Sequence, residues 1–485
     1  MAALSFVWTG SAWAGETVTL PVKDYKAILQ RLDALQERVD ALEKESPSAK
    51  SASAVMPQQK LAKDMDDIYD TLDEVQTKTL KDKVNFGAEL RTRVDNFRVK
   101  DHTYFSAPLT KGTQSNDNSW SNRFRLNMDA QIRKNMKFSG RLAVLKNFAD
   151  SDSSSPGIIG DANRAHIPDN STVKLDRAYV DWVPEGLPVP LALTFGRHPS
   201  SEGPPFEFKE NRKRQSTYPS LLFDGEADGI VVTLGLERYT GLKNSGLRFA
   251  WGKAYQDDDD VDPYLDKPGG LDDSNVYAAF FESEIPGLKD SLLVLSALRA
   301  NNMAADFTDA NINITGTANI GDMDLYGVHA QANNLKDSGF DVFLSLGLNK
   351  SHPNGQYVTY APNGAHLGLL SDGTQSHSGW AVYTGLRYTV PYAPLNNPKI
   401  GFEYNHGSDY WFSFTQGSAE LYNKLAARGD AYEIYYIQPF NQNLFMRAGY
   451  TWIDYNYKLS GFHIGDFGQS TETLGNGYLL LDCRF

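Results

Sequence analysis

A chain of 485 residues with a net charge of -13 has room for several soluble domains or one large barrel, and its acidity argues against general nucleic-acid binding, which calls for a basic surface. No run approaches the roughly 18 apolar residues of a membrane helix, which excludes helical spanning but not a barrel, whose strands need only about 9 to 11 residues of alternating character. Aromatics at 12%, 40 Gly and a mean hydropathy of -0.44 suit the barrel, while the single Cys excludes a disulfide framework and a c-type haem motif, so no cofactor is expected.

Residues 1–14 close on Ala12-Trp13-Ala14 before Gly15, an A-x-A cleavage pattern behind a short apolar run, and read as a secretory signal peptide without its usual basic start. Residues 15–45 carry a seam of Tyr25, Ile28, Leu32, Leu35, Val39 and Leu42 in steps of three and four. That is the a/d spacing of a short periplasmic coiled coil, which predicts self-association, a trimer being one option. An amphipathic helix folded on its own chain is the other reading. Residues 46–60, rich in Ser, Ala, Lys, Pro and Gln, form a linker, and 61–82 a second helical segment with Leu61, Met65, Ile68, Leu72 and Val75 at heptad spacing.

Across 83–485 the period becomes two. Val84, Phe86, Ala88, Leu90 and Val94 alternate with Glu89, Arg91, Arg93 and Asp95; Phe124, Leu126, Met128, Ala130 and Ile132 alternate with Arg125, Asn127, Asp129 and Gln131. The same pattern runs through 138–144 and 174–182, and further strands are expected near 190–197, 226–236, 246–255, 275–285, 290–299, 322–333, 339–349, 379–390, 398–408, 430–438, 443–456 and 475–485. The fold class expected is therefore an all-β transmembrane β-barrel of about sixteen antiparallel strands, greasy outside and charged within. Glu89, Arg91, Arg93, Arg125, Asp129, Arg141, Arg177 and Asp181 are the expected lumen-lining charges. Aromatics near strand ends, Trp182, Tyr388, Tyr392, Trp411, Phe412, Tyr450, Trp452 and Tyr455, mark the expected interfacial girdles. Long polar connections alternate with short turns such as Pro286-Gly287-Leu288.

One long connection stands out. Residues 196–225 hold the densest basic cluster of the chain, Arg197, His198, Lys209, Arg212, Lys213 and Arg214, among Glu202, Glu207 and Glu210, with prolines at 199, 204, 205 and 219. A stiff basic loop predicts a pore constriction that folds into the lumen and sets selectivity by charge. The plainer reading is a loop paired to its own glutamates. Asp257–Asp260 and Asp262 lack EF-hand spacing and read as a solvated acidic loop rather than a calcium site. The chain has no H-E-x-x-H, no G-x-S-x-G and no phosphate-binding G-x-x-x-x-G-K, so no enzyme activity is expected.

The stretch 477–485 places Leu479, Leu481, Cys483 and Phe485 on one face. It resembles the C-terminal strand of Gram-negative outer-membrane barrels, whose terminal Phe, here Phe485, is read by the barrel assembly machinery; Cys483 departs from the usual aromatic. More widely, the Glu16 to Pro21 lead into the heptads, the Asn122 to Arg133 strand, Leu175 to Trp182, the Gly196 to Gly225 loop, Phe402 to Ser408 and Arg428 to Glu433 resemble a domain-of-unknown-function family of porin-like outer-membrane proteins found in metal-respiring bacteria. The resemblance implies a barrel in the cell outer membrane and supplies no substrate. The function expected is a channel for passive diffusion of ions or small hydrophilic solutes, weakly selective and tilted to anions if the 196–225 loop points inward. The alternatives are a structural barrel holding periplasmic or outer-membrane cytochromes, and a surface adhesin or receptor.

Overall fold

The computed structural model describes residues 84–103, 111–148, 171–256, 271–306, 314–360, 363–415, 420–458, 460–465 and 468–485. The expected signal peptide, coiled coil, linker, second helical segment and acidic 257–266 loop lie outside them. Val84–Ala130 with Asn135–Phe485 make one compact unit. Of the other unit, Met1–Lys83 with Gln131–Lys134, the last four residues are described, and there the Gln131 amide donates to the Arg133 carbonyl.

Sixteen strands close into an antiparallel barrel, each paired with its sequence neighbours and the last with the first. They are β1 (Val84–Thr103), β2 (Lys111–Arg133), β3 (Met136–Asn147), β4 (Lys174–Trp182), β5 (Leu191–His198), β6 (Ala227–Gly235), β7 (Gly246–Tyr255) and β8 (Ser274–Ser283). The circuit continues through β9 (Ser291–Asn301), β10 (Gly321–Ala332), β11 (Phe340–Pro353), β12 (Ser378–Thr389), β13 (Lys399–Gly407), β14 (Gly429–Pro439), β15 (Leu444–Tyr455) and β16 (Thr473–Arg484). Every one of the sixteen expected strands coincides with one of these. Closure leaves no free sheet edge, and the seam runs through Phe485, whose N–H donates to the Ala88 carbonyl at 3.0 Å and whose carbonyl accepts from Ala88 at 2.9 Å.

The register follows from which face each residue must present. Along β11, Leu344, Leu346 and Leu348 are exposed, while Ser345, Asn349 and Ser351 on the alternate positions are buried. Leu479 and Leu481 point outward on β16 and Tyr478, Leu480 and Asp482 inward. A band of exposed Phe86, Phe124, Phe195, Ile230, Phe249, Phe402 and Ile434 continues around the exterior. A water-soluble protein avoids so large an apolar surface; a bilayer core requires it. Among the described residues no helix is long and apolar enough to cross a membrane, which says nothing against crossing by strands. Replacing Leu346 with Arg, on the outer face of β11, is expected to cost about 2–4 kcal/mol. Denaturant titration in lipid vesicles checks this, and an unchanged midpoint contradicts a lipid-facing Leu346.

Connections alternate in length around the barrel. At the short end, Leu288 N–H donates to Ile285 O at 3.0 Å across Pro286 and Gly287, where the φ of 79° at Gly287 is the left-handed conformation this turn needs. The long connections 199–226, 354–377, 408–428 and 456–472 bring large side chains to the interior: Phe206, Leu222, Leu370, Trp411, Leu425 and Phe462 form a core with Phe280, Leu298 and Phe343 of the wall.

Candidate functional site

Two sets of side chains meet inside the barrel, one from the wall and one from the 199–226 loop. The wall set follows from alternation: placing Leu90 outward on β1 places Glu89 and Arg91 inward. Neighbouring strands repeat the choice in register, so Asp482, Arg91 and Arg123 form one rank across β16, β1 and β2, and Arg484, Glu89 and Arg125 the next. Arg141 and Arg177 face each other across β3 and β4. The eight expected lumen residues, Glu89, Arg91, Arg93, Arg125, Asp129, Arg141, Arg177 and Asp181, all lie on the inward face, with Asp129 held by Lys137 at 3.0 Å and Asp181 accepting from Thr194.

After β5 the loop turns into the bore. Phe206 and Phe208 anchor it in the interior core, and a single helical turn, α1 (Phe206–Glu210), ends on Asn211 in the left-handed conformation. The loop touches the wall on opposite sides. Glu202 meets Arg125 at 2.7 Å, Arg123 at 3.4 Å and Arg141 at 3.5 Å, and it also pairs with Arg212. Glu210 pairs with Arg91, with Arg447 of β15 at 3.2 Å and with Arg484 of β16 at 3.2 Å. Across the bore, Glu207 accepts from Gln331 of β10 at 2.7 Å, the Phe208 carbonyl accepts from Arg387 of β12, and Arg214 meets Glu282 of β8 at 2.7 Å.

The loop cluster expected from sequence is thus divided. Glu202, Glu207, Arg212 and Arg214 sit among wall charges, and Lys213 is exposed beside a cavity of about 810 Å³ that α1 shares with Glu282, Asp341, Arg387 and Lys399. His198 is buried, its ring 5.8 Å from Tyr218. Arg197 lies elsewhere: it pairs in register with Ala178 and Asp228, two residues from the exposed Phe195 and Ile230, and bonds Asp228 at 2.6 Å on the outer face. The plainer reading of the sequence paired the loop's glutamates with its own cations. In the structure Glu202 and Glu210 serve mainly the wall arginines, and that pairing depends on the register of strands β1 to β4 and on barrel closure, which brings β15 and β16 beside β1.

Ionisation of the loop follows from burial opposed by these partners. Burial raises Glu202, but Arg125, Arg212, Arg123 and Arg141 outweigh it and hold the carboxyl well below its ordinary 4.5. Glu210 behaves likewise through Arg91 and Arg447. Burial raises Glu207 and lowers Lys209 to about 7. Because Glu202 and Glu210 have depressed values when docked, their contribution is complete above 4.5 and is lost as pH falls below it. Lys209 adds stability from about 7 upward to its ordinary 10.5, where only the undocked amine holds the proton, and Glu207 works in the opposite sense. Loop docking is therefore expected to hold at neutral pH and fail in acid. Amide exchange of residues 203–212, corrected for its intrinsic pH dependence, is expected to quicken between pH 7 and about pH 3.5. Equal protection at both would contradict the pairing.

Several inward aromatic side chains also escaped sequence reading. Trp411, Phe412 and Tyr455, expected in an interfacial girdle, are buried inside the barrel instead, whereas Trp182, Tyr392 and Tyr450 are exposed on it. Trp411 fits there because the inner wall lacks side chains opposite it: a Cβ on Gly347 would lie 2.5 Å from the Trp411 ring. A chain Ser345, His329, Gln331, Glu207 links wall to loop by hydrogen bonds of 2.7, 2.9 and 2.7 Å. With Ser345 buried on the wall, it supports the loop and offers no accessible nucleophile.

A family model described as "Protein of unknown function (DUF3373)" matches residues 113–474. No curated protein matches the chain. Among solved structures it is similar to OprB of Pseudomonas putida in its high-pH form, at 14% identity over 85% of this chain and 96% of that one, with a TM-score of 0.46. It is also similar to OmpF of Salmonella typhi in complex with daunomycin, at 11% identity, 84% and 98% coverage and a TM-score of 0.43. An anion-selective porin from Comamonas acidovorans aligns at 11% identity over 83% of this chain and 99% of that one, with a TM-score of 0.41.

Proposed function

We propose, on the premise that this chain belongs to the DUF3373 family of proteins of unknown function, that it is an outer-membrane channel for passive diffusion of ions and small hydrophilic solutes, tilted towards anions. The observation that carries the reading is the pairing of an apolar exterior with an ionised interior into which the charged 199–226 loop folds. Sixteen strands are enough to leave an aqueous bore unless loops fill it. On the side of the loop that faces β15, β16 and β1 to β4, guanidinium groups outnumber carboxylates: Arg91, Arg93, Arg123, Arg125, Arg141, Arg177, Arg212, Arg447 and Arg484 meet Glu89, Asp95, Asp176, Glu202, Glu210 and Asp482. Excess positive charge in a low-dielectric bore draws anions and repels cations.

Phe485, at the seam and outward-facing, is proposed as the residue read during assembly. A sleeve around a cytochrome would need a bore wide enough for a second protein, and the inward loops narrow this one to spaces such as the cavity of about 810 Å³ beside α1. Self-association through the 15–45 heptads is retained as part of the proposal. Flux into liposomes tests the channel: small anionic solutes are expected to enter faster than cationic ones of equal size. Equal impermeability to both would overturn it.

A further inference from the structure

The interior is unevenly filled. Beside β1 to β4, Arg123, Arg125, Arg141 and Arg177 are buried around Glu202, and beside β11 and β12 Phe343, Tyr383 and Trp411 are buried in the interior core. Along β7 to β9 the wall is different. Ala250, Gly252 and Ala278 offer short side chains or none, and with Phe280, Leu298 and Tyr218 of the loop they line a cavity of about 130 Å³. It sits toward the strand ends that meet long connections, whereas the cavity of about 810 Å³ beside α1 sits toward the short turns, where Asn244, Glu284 and Asp290 line it. Two layers of contact lie between them. In one, the Tyr218 and Phe280 rings meet edge-on with centres 4.7 Å apart; in the next, Glu282 accepts from Arg214 and from Arg248, each at 2.7 Å. Phe280 and Glu282 are successive inward positions of β8, about 7 Å apart along the strand.

We infer that solute passes along the β7 to β9 wall from one cavity to the other, and that the contact of Tyr218 with Phe280 sets the size limit of this path. This rests on the channel reading. A cavity of roughly 150 Å³ accommodates benzene. The recess of about 130 Å³ beside Phe280 therefore gives its ring a place to turn into as solute passes. The Glu282 layer sets the sign of the path: two guanidinium groups share one carboxylate there, leaving one net positive charge, which suits anions. Glu202 and Glu210, which dock the loop on its other side, belong to neither layer. The aperture can thus be altered while the loop stays docked.

The test is single-channel recording of the full chain beside Phe280→Ala and Ala278→Trp, folded barrels being selected by heat-modifiable electrophoretic mobility and a docked loop by protected amides at 203–212. Phe280→Ala is expected to raise conductance on the order of twofold and to admit larger neutral polyethylene glycols, because the constriction has lost its ring. Ala278→Trp fills the smaller cavity from the wall and is expected to lower conductance by about as much. Ala279→Trp, at the next position of β8 and on its lipid face, should change neither. If the wild type conducts and neither Phe280→Ala nor Ala278→Trp alters it, the path is overturned and the channel reading stands. An effect of Ala279→Trp equal to that of Ala278→Trp overturns the path too. If the wild type is silent, the channel reading fails as it stands; current steps in Phe280→Ala then support the constriction, and silence there overturns it as well.

Discussion

Replacing Glu202 with Gln is expected to destabilise the docked 199–226 loop by about 3–5 kcal/mol, the range found when one partner of a buried ion cluster is removed and its neighbours are left charged. The size follows from the number of guanidinium groups this one carboxylate serves. Arg123, Arg125, Arg141 and Arg177 lie within 4.0 Å of it, and Arg212 is bonded to it. Gln keeps the shape and some of the hydrogen bonds, so the loss reports charge rather than packing. Two readouts should move together: faster amide exchange at 200–212, and a reversal potential displaced further to the anion side by the uncompensated wall. Altering Asp228, whose pairing with Arg197 is on the outer face, should move neither.

Trp411→Ala is the second large effect, expected to cost about 3–5 kcal/mol, as for other fully buried aromatic truncations. The ring packs over Gly347 and beside Gly407, and its indole N–H donates to the Leu425 carbonyl at 2.8 Å. Truncation therefore opens a void and leaves a buried acceptor without its donor. Trp182, exposed at the end of β4, is the control: its loss should cost much less. Equal effects of the two substitutions on the denaturation midpoint would mean that Trp411 is not packed inside the barrel.

The contrast between those tryptophans shows where sequence reading ends. Strands were legible because each has two faces in different media, so Leu344, Leu346 and Leu348 alternate with Ser345 and Asn349 within a few residues. An aromatic at or beyond a strand's last residue carries no such signal. Trp182 and Trp411 look alike in sequence, and only the side-chain-free wall at Gly347, far along the chain, decides that one turns inward. The inward loop was legible through its charge and prolines, but its clamps were not. Glu202 and Glu210 find partners on β1, β2, β3, β15 and β16, strands brought together only when the barrel closes. Glu403 on β13 and Glu433 on β14, each at 1% exposure, were hidden for the same reason: only the register of the two strands sets them side by side.

Single-channel recording of the purified full chain in a planar bilayer under a salt gradient tests the central claim most directly. A charged bore narrowed by inward loops, with guanidinium in excess on the side of β15, β16 and β1 to β4, predicts discrete current steps whose reversal potential lies on the anion side. Reversal on the cation side, or no steps from protein that folds as a heat-modifiable barrel, would contradict it.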